Sequence, residues 1–371
     1  MSIQPAVQGT LAFFPELPIV LQTSAAPLTS DAGLLPIREF DDRIALTAAF
    51  AATLDDRRDP QLLTHPFLEM TRARIYGILA DYVDQNDHDT LRRDPVFKLI
   101  AGRRPDAPDL ASQPTLWRFE NAISIASLKR LRDVFIDQFI ASFAAPPRRL
   151  TFDLDAVDDP AHGEQQLVLF HGYFDQYQYF PSFITSAETD QVVVLSLRPG
   201  AVHAALGADD DLEYLVGRLR RAWPGVRICV RGDAGYGVPW MYAVCERLDV
   251  EYLFGIAANA TLKRASDALL ERAVQAYAQT QAPQRHFDAF WYRAGSWDRA
   301  RWVIVKAEAN AQGTNRRFVV TNRPGAVVVP AAAYDAYAER GESDIAHPHY
   351  NSSARWCSDP KPDYNPCVGV A

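Results

Sequence analysis

The spacing of apolar residues changes once along this chain, at the stretch "APPRRL" ending in Leu150, and the change rules out a fold built from one kind of element. From Asp31 to about Ala145 apolar positions recur every three or four residues, as in "DDRIALTAAFAATLDD", "LLTHPFLEMTRARIYGILADYVDQ" and "SLKRLRDVFIDQFIASF", which predicts an all-α region. Within it, "LASQPTLWRFENAI" contains a Ser-Gln-Pro-Thr break that stops one helix and caps the next, with Ser112 or Thr115 as N-cap. Such a joint is either a helix-turn-helix or a tight corner between helices.

Beyond Leu150 the runs shorten and become β-rich: "RLTFDLD", "QQLVLFHG", "YQYFPSFIT" and "QVVVLSLR". The acidic-headed amphipathic stretch "DDDLEYLVGRLRRAWP" then predicts a helix. Strand "VRICVRGD", helix "PWMYAVCERL", strand "EYLFGIA" and a long helix over Thr261–Gln281 follow. Strands, helix, strand, helix, strand is the order of an RNase H-like core, a mixed α/β sheet with flanking helices. Three aromatic and β-branched runs from "RHFDAFWYRAGSW" to "RRFVVTNRP" predict a β-rich insertion, and Pro330, suited to a first turn, opens a closing helix. The expected organisation is an N-terminal arm (1–30), an α-helical region (31–148), a mixed α/β core (149–283), a β-rich insertion (284–329), a further helix of that core (330–345) and a tail (346–371).

At 371 residues, 48% of them hydrophobic, the chain can bury two or three cores. No apolar run reaches the roughly 18–20 residues of a bilayer span, and the start lacks the basic region of a secretory signal, so a cytoplasmic location without membrane contact is expected, which the family resemblance given below would narrow to nucleoid-associated. The four cysteines, Cys229, Cys245, Cys357 and Cys367, have neither CxxC spacing nor disulfide-scaffold density. A net charge of −8 argues against a general nucleic-acid footprint, but Arg218, Arg220, Arg221, Arg227 and Arg231 form an acid-free run, and Arg316 and Arg317 a second basic pair. These are either a solvated face or a track for a phosphate backbone. "GDAGYG" matches neither phosphate-loop pattern, no GxSxG supports a serine hydrolase, and His162 and His171 lack a metal-like local pair.

Two acids remain. Asp155 ends the first predicted strand and Asp233 a later one, and the carboxyl ends of strands are where α/β proteins place ligand sites. Each could be a turn-forming Asp beside Gly or Pro; if the strands are neighbours, the pair becomes a candidate site for hard cations, which take oxygen ligands. A third carboxylate normally closes such a site. On the helix from Pro330, Tyr337, Arg340 and Asp344 lie three and four apart on one face, whereas Glu342 sits roughly 200° around from position 344. Asp344 has the geometry, Glu342 the chemistry.

The segments "LDAVDDPAHGEQ", "FHGYFDQYQYFPSFI", "VRGDAGYGVPWMYAVCERLDVEYLFGIAAN" and "YAERGES", with upstream "DYVDQNDHDTLRRDPVFK" and "LASQPTLWRFEN", resemble bacterial insertion-sequence transposases of the DDE type with a Tyr-x2-Arg-x3-Glu-x6-Lys signature. The resemblance runs from about Asp31 to Ser343. It implies an RNase H-like fold interrupted by a β domain, Mg2+ or Mn2+ dependence, and transposition of DNA between terminal inverted repeats by a homodimer, without a small-molecule cofactor. It places the catalytic, metal-binding acids at Asp155, Asp233 and Asp344, with Tyr337 and Arg340 on DNA phosphates. Val157 stands where Thr is common, Asp344 where Glu is expected, Ile345 where Asn is, and Asn351 where Lys is. The expected basic helix gives way to "AHPHYNSSARWCSDPKPDYNPCVGVA", with Pro348, Pro360, Pro362 and Pro366 and no apolar period. The expectation is a truncation or frameshift after Ser343, which would leave a weakened or inactive copy. A non-catalytic remnant that occupies inverted repeats and represses transposition is the alternative.

Overall fold

The computed structural model describes residues 8–11, 19–22, 28–161, 163, 165–323 and 329–340, in two compact units divided between Ser127 and Leu128.

In the first unit, strands β1 (Gln8–Leu11) and β2 (Ile19–Gln22) pair antiparallel, a hairpin where an aperiodic arm was expected. Helices α1 (Leu34–Ile44), α2 (Leu46–Ala52), α3 (Phe67–Leu79), α4 (His88–Leu91), α5 (Pro95–Ala101) and α6 (Gln113–Asn121) follow, as the three-and-four spacing predicts. Asp94 shows how the ends are set: its carboxylate accepts from the amides of Val96 and Phe97 at 2.8 and 3.0 Å, Pro95 occupies the first turn, and Gly102 at φ 99° ends the helix. Ser112 takes the N-cap position of α6, and Thr115 lies inside the helix. The segment from Gly102 to Ser112 that joins α5 to α6 is neither a tight corner nor the three- or four-residue turn of a helix-turn-helix.

One core of this unit gathers Leu34, Tyr76, Leu91, Val96, Phe97 and Ile100; a second gathers Met70, Ala111, Leu116 and Phe119. Its buried charges are all met: Glu69 by His65 and Arg103, Glu120 by Arg74 and Gln85, Asp41 by Thr47. A cleft of about 480 Å³ among Arg57, Arg58, Phe67, Arg118 and Phe119 holds neither Asp155 nor Asp233.

Helix α7 (Ile125–Ala141), expected to belong with the helical region, lies mostly in the second unit, where Ile136 and Phe139 enter the core of the sheet. That unit contains β3 (Arg149–Ala156), β4 (Asp159–Pro160), β5 (Leu169–His171), β6 (Gln176–Tyr179), β7 (Ser182–Ser186), β8 (Val192–Ser196), α8 (Ala208–Ala222), β9 (Arg227–Gly232), α9 (Pro239–Arg247) and β10 (Glu251–Ile256). Then come α10 (Ala260–Ala265), α11 (Asp267–Thr280), β11 (Gln284–Tyr292), β12 (Arg301–Asn310), β13 (Gly313–Thr321) and α12 (Pro330–Ala338). The single long helix expected after β10 is broken at Ser266, whose hydroxyl donates to the Leu262 carbonyl.

Eight strands form one sheet in the order β11-β12-β13-β10-β9-β3-β7-β8. The meander β3, β7, β8 is antiparallel, and β3, β9 and β10 run parallel through α8 and α9. The three late strands pair antiparallel onto β10 and extend this same sheet. "QQLVLFHG" does not enter it: β5 pairs with β6 in a three-stranded sheet with β4, and Pro181, which lacks an amide hydrogen, separates β6 from β7 within "YQYFPSFIT".

Strand alternation divides the sheet into two faces. Leu150, Phe152, Leu154, Ile228, Val230, Tyr252, Phe254, Val303, Val305, Phe318 and Val320 face the large core shared with α7, α8, α9 and α11. Cys229, Leu253, Ile304 and Val319 point the other way and meet Ala333 and Tyr334 of α12.

Candidate active site

The parallel ladder between β3 and β9 pairs Thr151 with Cys229, Asp153 with Arg231 and Leu154 with Gly232. Continuing it by one residue sets Asp155 opposite Asp233. By alternation both acids belong to the face covered by α12. Neighbouring strands lie about 4.8 Å apart, and a small divalent cation binds oxygen at about 2.0–2.1 Å, so carboxylates at matched positions can share one ion. Both side chains are half-buried, and each is oriented by a backbone amide: Ala156 N–H donates to Asp155 Oδ1 and Gly235 N–H to Asp233 Oδ1, both at 2.8 Å. An all-carboxylate donor set at a sheet edge fits a hard cation and not a thiophilic one. Among the described residues no three His, Cys, Asp or Glu cluster as metal ligands; Asp344 and Glu342, the candidates for the third acid, lie outside the described residues, as does the chain from 346 onward.

Further groups shape this edge. Gly255 on β10 has no Cβ, and one built there would stand 2.7 Å from Tyr337 Oη, 3.0 Å from Ala234 N and 3.2 Å from the Asp233 carbonyl carbon. The phenol of Tyr337 therefore reaches the acid edge only because residue 255 is glycine. Burial, chiefly, raises the Tyr337 hydroxyl above its ordinary range; the Arg340 cation opposes this and the Asp233 charge adds to it, so the phenol remains a donor. Arg340 lies with its guanidinium 5.9 Å from the Tyr337 ring centroid. Tyr236 is fully buried, and its hydroxyl is pushed up by burial first, against the Arg198 cation, with Asp155 and Asp233 adding to the rise. Arg198 holds the loop before α8 by donating to the carbonyls of Phe180, Ala204 and Leu206 at 2.9, 2.6 and 2.8 Å.

Two residues back along the ladder, Arg231 makes a two-pronged ion pair with Asp153, Nε to Oδ1 at 2.6 Å and Nη2 to Oδ2 at 2.7 Å. Neither residue was singled out for this from sequence, although the i, i+2 spacing in "DLD" and "RGD" puts them on the same face as the acids.

Most of the arginine run has internal work. Arg218 binds Asp133 and Asp137 on α7, Arg220 donates to the carbonyls of Leu248 and Asp249, Arg221 to that of Gly217, and Arg316 to Lys263 O and Asp267. Arg227 alone of the run is exposed without such a bond among those described. His171 bonds backbone, accepting from Tyr173 N–H at 3.3 Å, and packs on Phe174 and Phe180; His162 lies outside the described residues. Cys229 and Cys245 are buried free thiols, raised by burial, and no helix among the described residues is long and apolar enough to cross a membrane.

A search of curated proteins finds no match to the chain. The family model described as transposase DDE domain group 1 matches residues 14–345, spanning both the helical region and the strands that carry the two acids, and the chain belongs to that family of DNA-cleaving and strand-transferring enzymes.

Proposed function

We propose that this chain cuts DNA at the terminal inverted repeats of an insertion element and joins the freed ends to target DNA, with Asp155 and Asp233 holding the divalent ions, Mg2+ or Mn2+, that this chemistry uses. The pairing of Leu154 with Gly232, the residues immediately before the two acids, carries the reading. The order β8-β7-β3-β9-β10, an antiparallel meander followed by parallel strands, supports an RNase H-like core, with β11 to β13 as the insertion.

When bound, such ions activate the attacking hydroxyl and stabilise the leaving oxygen of a phosphodiester. The residues of the chain supply the rest. Asp155 and Asp233, each carboxylate held by a backbone amide, would hold and orient the ions. Tyr337 donates from its neutral phenol toward a phosphate oxygen, and Arg340 offers the planar fork suited to phosphate. Asp344, following on the chain from α12, would complete the acid set; one methylene shorter than Glu, it would sit displaced, and about 1 Å of displacement costs on the order of 100-fold in rate. The protein would act as a homodimer that pairs two element ends.

The test is nicking of a plasmid carrying the element's own ends, with Mn2+ binding followed by electron paramagnetic resonance. Asp155→Asn and Asp233→Asn should each lower nicking about 100-fold or more and release bound Mn2+ without changing thermal unfolding. Wild-type nicking that survives both substitutions overturns the assignment. End binding with no nicking at saturating Mn2+ would instead identify a non-catalytic, repressing remnant.

A further inference from the structure

We infer that Arg231, through Asp153, is a positioning residue that fixes α12 against the two strands bearing the acid pair. The inference rests on the reading of Asp155 and Asp233 as the metal-holding acids and adds what aligns the helix beside them.

Arg231 is 3% exposed and Asp153 4%. Two of the three guanidinium nitrogens are used on Asp153, joining β9 to β3 two rungs behind the acids, a distance of about 6.6 Å along the strand. The third, Nη1, leaves the sheet: it donates to the Ala336 carbonyl at 2.7 Å and reaches Glu339 Oε2 at 3.3 Å. Ala336 lies in the last turn of α12, where helix carbonyls lack intrahelical partners and a cation also meets the negative end of the helix dipole. One planar group thus ties β3, β9 and the end of α12 at a single point.

The other described contacts of α12 are of a different kind: Tyr337 packs against β10, and Lys306 lies 5.3 Å from the Tyr334 ring. Ala333 and Tyr334 give apolar contact that tolerates sliding, and the Arg285–Asp335 pair at 2.9 Å is solvent-exposed on both sides. A buried pair is weak evidence for stability, since apolar replacement of both partners is often neutral. The geometry is therefore better explained by alignment: Tyr337 and Arg340 follow the tethered carbonyl by one and four residues, and the chain beyond leads to the expected third acid. A lysine cannot make all these bonds, because its ammonium lacks the rigid fork.

The experiment compares wild type, Arg231→Lys and the double variant Asp153→Leu/Arg231→Met by hydrogen exchange, Mn2+ binding and nicking. In the double variant, α12 amides should exchange about tenfold faster or more while β3 and β9 amides stay protected; Mn2+ binding should hold within about threefold and turnover fall on the order of 100-fold. Arg231→Lys, which keeps the charge, should show the same loosening of α12 in smaller degree. If α12 stays protected in both variants, or if strands and helix loosen together, the tether is refuted. Failure of wild type to bind Mn2+ or nick DNA would count against the function alone, because the exchange result stands without it.

Discussion

Replacing Gly255 by alanine probes the acid edge with a single methyl group. The new Cβ would meet Tyr337 Oη at 2.7 Å, closer than carbon and oxygen approach without bonding, and the backbone at Ala234 N and the Asp233 carbonyl carbon at 3.0 and 3.2 Å. The phenol is the far end of a side chain and can swing away; the backbone contacts can yield only by moving the segment that holds Asp233. Overpacking of this kind costs about 1–3 kcal/mol, seen in urea unfolding as a lower midpoint with unchanged slope. Removing the hydroxyl should relieve part of it, so Gly255→Ala with Tyr337→Phe should be more stable than the sum of the single effects by about 0.5–1 kcal/mol. Nicking by Gly255→Ala should fall about tenfold, through a shift of a few tenths of an ångström at Asp233. A Gly255→Ala protein of wild-type stability, or one with no coupling to position 337, would refute the seating of Tyr337 against β10.

Three further outcomes are expected. His88, 1% exposed, is pushed down to about 4 by burial first and then by the Arg74 cation, with Asp89 opposing. Its stability contribution is whole above 6.5; as pH falls from 6.5 toward 4 the unfolded chain takes up a proton that the folded unit does not, a loss of about 3 kcal/mol. Urea midpoints between pH 7 and 4 should fall accordingly, and less steeply in His88→Gln. Glu246→Ala should destabilise the second unit by about 3–5 kcal/mol, because Arg301, 3% exposed, loses bonds of 2.9 and 3.0 Å and keeps Asp298 alone as an acid partner. Thermal unfolding measures it. Gly200→Ala would drive a Cβ into the carbonyls of Gln178 and Leu169 and should speed hydrogen exchange in β5 and β6 while leaving β3 and β9 protected.

The sequence by itself determined which segments are helices and which are strands, because period three-to-four and period two are written in local order: "LTFDLD" becomes β3, "DLEYLVGRLRR" becomes α8, and Asp209 to Asp211 stand at the helix's positive end. It also marked Asp155 and Asp233 as strand-end acids and carried the family in its motifs. Where strands go was not legible. That "RHFDAFWY" and its two successors extend the main sheet, while "LFH" leaves it, depends on edge hydrogen bonds between residues far apart in the chain. The arginine run misled for the same reason, since a guanidinium's role depends on what surrounds it: Arg218 finds Asp133, and Arg231 finds Asp153 across the ladder and Ala336 beyond it. Only the tertiary structure set the strand ends that carry Asp155 and Asp233 side by side, with Tyr337 close to the Asp233 backbone, because strand order and close packing at Gly255 are properties of the fold and not of any local window.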